Sequence, residues 1–158
     1  MKQAKTNAMR ILDSKKIPYE LITYDSQDGK IDGVSVAEKI GKPVSVVYKT
    51  LVAQGNSKNL FVFIVPVEAE LDLKKGAKAA GEKKIDMIPV KDIQKWTGYI
   101  RGGCSPVGMK KLYSTFIDES AHTIDKIIVS GGKIGVQMEL TVEDLKQVTQ
   151  AKIAELLK

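Results

Sequence analysis

Cysteine and histidine are almost absent from this chain of 158 residues, which has one of each, Cys104 and His122. A single cysteine excludes an internal disulfide and fits a reducing compartment. A zinc site built from these side chains needs more ligands than the chain supplies, so we expect neither a metal nor another cofactor. Because the sequence also lacks a bilayer-length apolar run and an apolar signal segment at its start, we expect a cytoplasmic protein that does not bind membranes.

Glycine is present, but not in the arrangements that bind common nucleotide cofactors. The glycine-rich segments match neither the phosphate loop of ATPases nor the dinucleotide fingerprint, so chemistry that depends on ATP or NAD is not supported.

The length and the hydrophobic fraction of 43% fit a single domain with a full core, which we place at residues 1–158. The net charge of +6 favours a polyanionic partner such as nucleic acid.

The spacing of apolar residues predicts an α+β fold. Helices are expected at residues 6–15, 35–41, 72–81, 89–98 and 141–156. Strands are expected at residues 19–24, 46–53, 60–65, 84–88, 112–117, 124–129 and 134–140. The second helix is expected to begin at a capping box that starts with Ser35, and the last to bury Leu156. About seven strands without strict alternation with helices predict a mixed, strongly curved sheet that the helices flank.

Two glycine-rich segments are the most unusual feature of the sequence. The first is Gly102-Gly103-Cys104-Ser105-Pro106-Val107-Gly108, and the second is Ser130-Gly131-Gly132-Lys133-Ile134-Gly135. Adjacent glycines leave main-chain N–H groups uncovered and let another molecule approach the backbone closely. The segments are therefore either a grip for a ligand or two tight turns. Because the second lies between two expected strands, we predict that it is the turn of a hairpin.

Lys49 is the most unusual charged residue, because it falls in the middle of an expected strand. Both faces of that strand are largely apolar, so its side chain points into or past a packed surface. A lysine in this position must be paired, must titrate or must line a cavity. The alternative is a lysine whose ammonium group reaches solvent at a strand end. We favour a functional role, since a lysine in mid-strand is rarely buried.

Cys104 invites the hypothesis of a thiol nucleophile, which requires a nearby base or cation. His122 lies in a segment that reads as an exposed turn, and nothing in the sequence brings it close to Cys104. We therefore favour Cys104 as a small residue tolerated in the loop.

Several lysines form either a surface that binds the phosphate groups of a nucleic acid or an ordinary solvated surface. They are Lys74, Lys75, Lys78, Lys83, Lys84, Lys110 and Lys111.

Five segments occur in the order found in one known family. They are Val47-Tyr48-Lys49-Thr50-Leu51, Leu71-Asp72-Leu73-Lys74-Lys75, Thr97-Gly98-Tyr99, the segment from Gly102 to Lys111, and Ser130-Gly131-Gly132-Lys133. Together they resemble the YbaK/EbsC family of aminoacyl-tRNA deacylases, which is related to the editing domain of bacterial prolyl-tRNA synthetases. The resemblance covers nearly the whole chain. It implies a barrel-like mixed sheet, tRNA as partner, and clearance of mischarged tRNA alongside prolyl-tRNA synthetase.

The resemblance also implies roles for particular residues. Lys49 falls on the essential lysine of the family, and Tyr24 falls on a tyrosine implicated in its pocket. Gly102, Gly103, Cys104, Ser105 and Pro106 fall on the loop that holds the aminoacyl end of the tRNA. Further substrate-binding residues are expected at Ser130, Gly131, Gly132, Lys133 and Gln137.

Two positions depart from the pattern of the cysteine-specific members. Gln137 stands where those members carry an aspartate, and Asp32 stands near where they place an aromatic residue. Both departures bear on amino-acid selectivity more than on the fold. In cysteine-specific relatives the substrate's own thiol attacks its carbonyl, so no protein nucleophile is required; attack by water is the alternative.

Several functions therefore stay open from the sequence. The resemblance implies a deacylase of Cys-tRNA(Pro), with Cys-tRNA(Cys) as a second substrate. The alternatives are a deacylase of different amino-acid specificity, a non-catalytic module that binds tRNA or another polyanion, and a thiol enzyme built on Cys104.

Overall fold

The fold comes from a computed structural model that describes residues 5–158. The first four residues, where we expected no signal segment, lie outside the described residues. The described part has five α-helices and eight β-strands. The helices are α1 (Asn7–Ser14), α2 (Gly33–Ile40), α3 (Leu73–Ala80), α4 (Ile93–Thr97) and α5 (Val142–Thr149). The strands are β1 (Glu20–Thr23), β2 (Tyr48–Gly55), β3 (Leu60–Pro66), β4 (Ile85–Met87), β5 (Ser114–Asp118), β6 (Lys126–Lys133), β7 (Val136–Thr141) and β8 (Lys152–Ala154). None of these helices has the length and apolar character needed to cross a membrane.

The strands form two sheets. One is antiparallel with three strands in the order β1-β7-β6, and the other has five strands in the order β4-β2-β3-β5-β8. The second is mixed, because β3 pairs in parallel with β5 and β5 in parallel with β8. A bridge between Val47 and Ile128 joins the two sheets at one position.

The expected α+β class and mixed sheet are confirmed, but the strongly curved, barrel-like sheet is wrong. Hydrogen bonding does not continue from one sheet into the other beyond the bridge at Val47, so residues 5–158 form no closed or strongly curled barrel. The chain makes a short 3-10 helix at Val44–Val46 immediately before this bridge, which shortens the expected strand at its start. Two packed sheets bury their apolar faces without closure.

The core lies between the two sheets and beneath α3. Strand β3 is buried along its whole length, because β2 and β5 flank it and both of its faces are covered. Ile64 packs with Ile127 and Met138 of the three-stranded sheet. On the opposite face of β3, Phe63 stacks on Phe116 with ring centroids 5.6 Å apart.

Two helices begin or end at residues other than those predicted from the sequence. Helix α2 begins at Gly33 rather than in a capping box at Ser35, because the side chain of Asp32 accepts a hydrogen bond from the Ser35 N–H at 3.1 Å. Helix α5 does not extend to Leu156; Gln150 has a φ of 57°, and the chain then forms β8. Leu156 is buried as expected, but its N–H donates to Asp118 Oδ1 at 3.0 Å.

Candidate functional site

A cavity of about 430 Å³ gathers residues from both sheets and from the start of α2. Five of the predicted site residues line it: Lys49, Gly102, Cys104, Ser130 and Gln137. The remaining predicted site residues do not line it: Tyr24, Gly103, Ser105, Pro106, Gly131, Gly132 and Lys133. The structure therefore brings the lysine and the two glycine-rich segments to one place, which the sequence did not require.

Lys49 lies at the start of β2 rather than in mid-strand. It is the second residue of the strand, opposite Val65 of β3, and it is half-buried. Within residues 5–158, no carboxylate oxygen lies within 4.0 Å of its Nζ and no hydrogen bond joins it. Its ammonium group is therefore a cation on the cavity wall with no anionic partner of its own in this part of the chain.

The first glycine-rich segment presents main-chain groups to the cavity. Gly102 has a φ of 85°, and both Gly102 and Cys104 line the wall. The Gly103 N–H is already occupied, because it donates to the carbonyl of Ile100 at 3.0 Å. Neither the Gly102 N–H nor the Cys104 N–H donates a hydrogen bond within residues 5–158. Among the residues of the segment that line the cavity, these two amides are therefore available to a ligand.

Ser105 and Pro106 hold the shape of the segment rather than line the cavity. Both residues are buried, and the Ser105 hydroxyl oxygen accepts a hydrogen bond from the Val107 N–H at 3.2 Å. The Tyr99 hydroxyl donates to the Val107 carbonyl oxygen at 2.7 Å. The end of the segment is therefore fixed by buried hydrogen bonds while its beginning faces the cavity.

The second glycine-rich segment lies in the β6–β7 hairpin, but only Ile134 and Gly135 form the predicted turn, because residues 130–133 belong to β6. The register passes from the pair Ser130–Gln137 to the pair Lys133–Val136, so Gly131 and Gly132 form a bulge. Ser130 and Gln137 line the cavity from adjacent strands, and Gln137 is buried. The turn itself lies beyond the bulge.

The second segment supports the first from behind. A Cβ atom placed on Gly103 would lie 2.8 Å from Lys133 Cα and 2.8 Å from Ile134 N, so only glycine fits between them. The start of α1 holds both segments in place. Thr6 Oγ1 donates to the Gly131 carbonyl oxygen at 2.5 Å, and Asn7 Nδ2 donates to the Gly108 carbonyl oxygen at 2.6 Å.

Cys104 is not placed as a nucleophile. It packs against a cluster that includes Val52 and Val62, and burial raises the pKa of its thiol to about 11, although a hydrogen bond with Thr97 acts in the opposite direction. A thiol with that pKa is protonated near neutral pH. His122 lies in a different depression, so it does not line the cavity beside Cys104.

Two buried hydroxyl groups have no hydrogen-bond partner within residues 5–158, those of Tyr24 and Thr50. An unsatisfied buried hydroxyl costs roughly 1–3 kcal/mol, so a ligand atom that reaches it gains a bond at no desolvation cost to the protein. Thr50 lies on the cavity wall, whereas Tyr24 does not line the cavity; the Tyr24 N–H donates to the Gly135 carbonyl oxygen at 3.0 Å.

Thr50 and Arg101 are wall residues that the sequence reasoning missed. Arg101 is exposed, and no carboxylate within residues 5–158 lies within 4.0 Å of its guanidinium group. Its position immediately before Gly102 was the available signal. Asp32 also lies on the wall, and hydrogen bonds from the side chain and main chain of Ser35 lower the pKa of its carboxyl group. That carboxylate caps the start of α2 through its Oδ2 atom.

No group of three or more histidine, cysteine, aspartate or glutamate side chains within residues 5–158 is arranged to hold a metal ion. The cavity instead combines two cations, two available amides and the side-chain oxygens of Thr50 and Ser130. Such a wall is suited to a ligand with negative charge and a carbonyl oxygen.

Known proteins resemble this chain over most of its length. The model of the family described as "Aminoacyl-tRNA editing domain" matches residues 32–148. The chain is 45% identical over 154 residues to the "Putative Cys-tRNA(Pro)/Cys-tRNA(Cys) deacylase EbsC" of Enterococcus faecalis (strain ATCC 700802 / V583), covering 98% of this chain and 94% of that protein. It is 25% identical over 117 residues to the "Uncharacterized protein YwhH" of Bacillus subtilis (strain 168), covering 74% of each.

A solved structure described as "a putative trans-editing enzyme for prolyl tRNA synthetase" superposes with a TM-score of 0.86, covers 99% of each chain and is 21% identical. That likeness establishes the fold. The range of the family match includes Lys49, both glycine-rich segments and Gln137, and it begins at Asp32, after Tyr24. By the family match and the 45% identity, the chain belongs to the aminoacyl-tRNA editing domain family.

Proposed function

We propose that this protein is an aminoacyl-tRNA deacylase that acts in trans on mischarged tRNA, with Cys-tRNA(Pro) as main substrate and Cys-tRNA(Cys) as a second one. One observation carries the proposal: a single cavity joins Lys49 to the Gly102–Cys104 backbone in a chain of the editing family. The name of the Enterococcus faecalis relative supports the choice of substrates.

The proposed chemistry begins at the carbonyl of the ester that links the amino acid to the terminal ribose. Attack on this carbon places negative charge on the carbonyl oxygen. The Gly102 and Cys104 N–H groups donate to that oxygen, because they line the cavity and have no acceptor within residues 5–158. Removal of one such donor from an acyl-transfer site typically lowers the rate by about 10²–10³-fold.

Lys49 anchors the nucleotide end of the substrate in this proposal. An ammonium group without a carboxylate partner attracts the terminal phosphate or the ribose hydroxyls of the acceptor end. Arg101 provides a second cation on the same wall. The two cations hold the ester near the amides, and correct positioning alone supplies much of the rate acceleration.

The substrate supplies the nucleophile, because Cys104 is a protonated thiol and His122 lies elsewhere. The sulfur of the cysteinyl group attacks its own carbonyl carbon, and a sulfur–carbon bond forms. The bond from that carbon to the ribose oxygen breaks, and the thiol proton passes to the ribose oxygen. The products are a thiolactone and uncharged tRNA. Attack by water gives free cysteine instead and weakens selectivity for cysteine.

Selectivity for the amino acid is proposed to depend on Gln137, Ser130 and Asp32. The Gln137 side chain is neutral where an aspartate would repel a thiolate or attract the substrate's ammonium group. Among the described residues that line the cavity, only Asp32 carries a carboxylate. Its Oδ2 atom accepts a hydrogen bond from the Ser35 N–H as the cap of α2. The Asp32 carboxylate is therefore the candidate partner for the ammonium group of the aminoacyl moiety.

We further propose that residues 1–158 act as one editing domain, that tRNA is its partner, and that it works beside prolyl-tRNA synthetase in the cytosol. The remaining substrate-binding residues expected from the family resemblance stay proposals, because they do not line the cavity: Tyr24, Gly103, Ser105, Pro106, Gly131, Gly132 and Lys133. Gly103 and Gly131 act in this proposal by holding the two glycine-rich segments together. The two interleaved segments and α1 give this support.

The test is a deacylation panel with cysteinyl-, alanyl- and prolyl-tRNA(Pro) together with cysteinyl-tRNA(Cys). The proposal expects fastest release of cysteine from tRNA(Pro), with thiolactone as the first product. Salt-dependent binding of tRNA without cleavage of any ester would instead support a non-catalytic binding module. Release of alanine in preference to cysteine would keep the deacylase and overturn its specificity.

A further inference from the structure

A second depression, of about 620 Å³, shares Lys49 and Leu51 with the wall of the cavity. Its other side comes from the start of α3 and from β4, which contribute Lys74 and Met87. We call it the Lys74 groove. Because Lys49 and Leu51 lie on the walls of both spaces, the two spaces adjoin, and a ligand that Lys49 anchors in the cavity ends beside the groove.

The Lys74 groove has an apolar surface. Leu51 and Leu71 line it, and so do Leu73 and Met87, which are 41% and 43% exposed. Large exposed apolar side chains that cluster in a depression mark a binding surface more often than isolated ones do. Flat heterocyclic bases pack on such side chains, although less strongly than on aromatic ones.

The charges around the groove favour an anion. Its carboxylates already have partners, since Asp72 caps α3 through the Lys74 and Lys75 N–H groups and Glu70 lies 3.3 Å from Lys158 Nζ. Lys74 is exposed and, like Lys49, has no ion pair or side-chain hydrogen bond within residues 5–158. Three lysines (Lys49, Lys74 and Lys158) against two carboxylates (Glu70 and Asp72) leave the lining with a net positive charge of one. A positive lining beside an apolar floor matches a chain that alternates phosphates with bases.

We propose that the Lys74 groove binds the single-stranded nucleotides that precede the terminal adenosine of the tRNA. This inference rests on the proposed function, because it takes the aminoacyl ester to lie in the cavity. The acceptor strand then leaves past Lys49, its next phosphate meets Lys74, and a base packs on Met87 and Leu73. A docking peptide of a protein partner is the competing occupant. An acidic peptide would also match the two lysines that have no ion pair, but only the acceptor strand continues from an ester held beside Lys49.

The test compares Lys74→Ala and Met87→Ala with Lys78→Ala, which removes an exposed lysine of the same helix that does not line the groove. Binding of a short single-stranded RNA ending in CCA is measured by fluorescence anisotropy at several salt concentrations. Lys74→Ala should weaken binding about three- to tenfold, as expected for the loss of one contact made by a solvent-exposed side chain. It should also lower the salt slope by about 0.7, the value for one phosphate on a single strand.

Deacylation kinetics give the second readout. Lys74→Ala and Met87→Ala should raise KM for cysteinyl-tRNA and leave the rate on 3′-cysteinyl-adenosine, which lacks the preceding nucleotides, unchanged. Lys78→Ala should change neither quantity. The anisotropy experiment does not depend on ester cleavage. Absence of deacylase activity in the wild type would therefore contradict the proposed function, while RNA binding by the Lys74 groove would still be tested separately.

Three results would overturn the groove assignment. One is equal RNA affinity and salt slope in wild type and Lys74→Ala. Another is an equal loss for Lys78→Ala, which would indicate a diffuse charge effect. The third is loss of binding to purified prolyl-tRNA synthetase, but not to RNA, in the Lys74 and Met87 variants; that result would assign the groove to a protein partner.

Discussion

The two glycine-rich segments look alike in the sequence but do different work in the structure. In the first, Gly102 and Cys104 line the cavity, and their main-chain N–H groups have no acceptor in the described chain. In the second, the glycines are packed: Gly131 and Gly132 form a bulge against Val136 and Thr6. The first segment is therefore the proposed grip, and the second is its support.

This difference teaches that a pair of glycines has two physical uses. A glycine exposes the backbone to a ligand, or it lets two backbones approach where a Cβ atom would not fit. Gly103 shows the second use inside the first segment, because it lies against the Lys133–Ile134 main chain. Substitutions that add one methyl group separate the two uses.

The largest effect is expected for Gly103→Ala. The new Cβ would lie 2.8 Å from Lys133 Cα and 2.8 Å from Ile134 N, and a main chain held in a hairpin moves little. We expect a loss of about 3 kcal/mol in the free energy of unfolding, at the upper end for overpacking. Deacylation should fall in the folded fraction as well, because the first segment is displaced. Urea unfolding and activity assays measure both.

Gly131→Ala is the matched control for Gly103→Ala, since neither position has a positive φ. There the new Cβ would meet a methyl group, Val136 Cγ1, at 2.8 Å, and the nearest main-chain atom, Val136 O, at 3.4 Å. A side-chain methyl yields more easily, so the loss should be about 1–2 kcal/mol. Equal losses for the two variants would show that the contact between the segments is not rigid.

For Gly132→Ala we expect a smaller effect than for Gly103→Ala. This residue has a φ of 106°, and a Cβ would lie 2.9 Å from Thr6 Cβ, so strain and a clash with α1 act together. We expect a loss of about 2 kcal/mol in stability, with most of the deacylation rate retained by the folded protein. Gly29→Ala isolates the strain, because its φ is 78° and nothing lies within 4 Å. A severe loss of activity in Gly132→Ala without a loss of stability would indicate that the second segment contacts the substrate directly.

The smallest effect on activity is expected for Cys104→Ser, since the proposal uses the main chain of this residue and not its thiol. The raised pKa gives a separate readout. With a pKa of about 11, only about 1% of the thiol is ionised at pH 9, so alkylation of the folded protein should accelerate only toward pH 11. In urea the same reaction should accelerate near pH 9. Fast alkylation of the folded protein at pH 7 would revive the thiol-enzyme hypothesis.

Local signals in the sequence predicted much of the fold. Asp72 and Gly81 bound α3 as expected, because a cap and a left-handed glycine act through neighbours within one turn of helix. The two-sheet arrangement and β8 could not be predicted, since they depend on contacts between distant residues. Strand β8 forms because it pairs with β5, more than 30 positions earlier in the chain.

The candidate site divides in the same way. Lys49 and the first glycine-rich segment stood out by residue type, and they meet in one cavity. Thr50 did not stand out, because nothing in its local sequence reveals that its buried hydroxyl lacks a partner. For Arg101 the only signal was its position immediately before Gly102, which does not by itself place it on the cavity wall. The pocket role of Tyr24 rested on the family resemblance and stays a prediction.

The most direct test of the account is single-turnover deacylation of Cys-tRNA(Pro) by wild type, Lys49→Ala and Lys91→Ala. Lys91 is an exposed lysine outside both the cavity and the Lys74 groove, so its variant controls for charge. The account predicts a loss of about 100-fold for Lys49→Ala, equivalent to about 2.7 kcal/mol of transition-state stabilisation, and no loss for Lys91→Ala. Undiminished activity in a folded Lys49→Ala protein would contradict it.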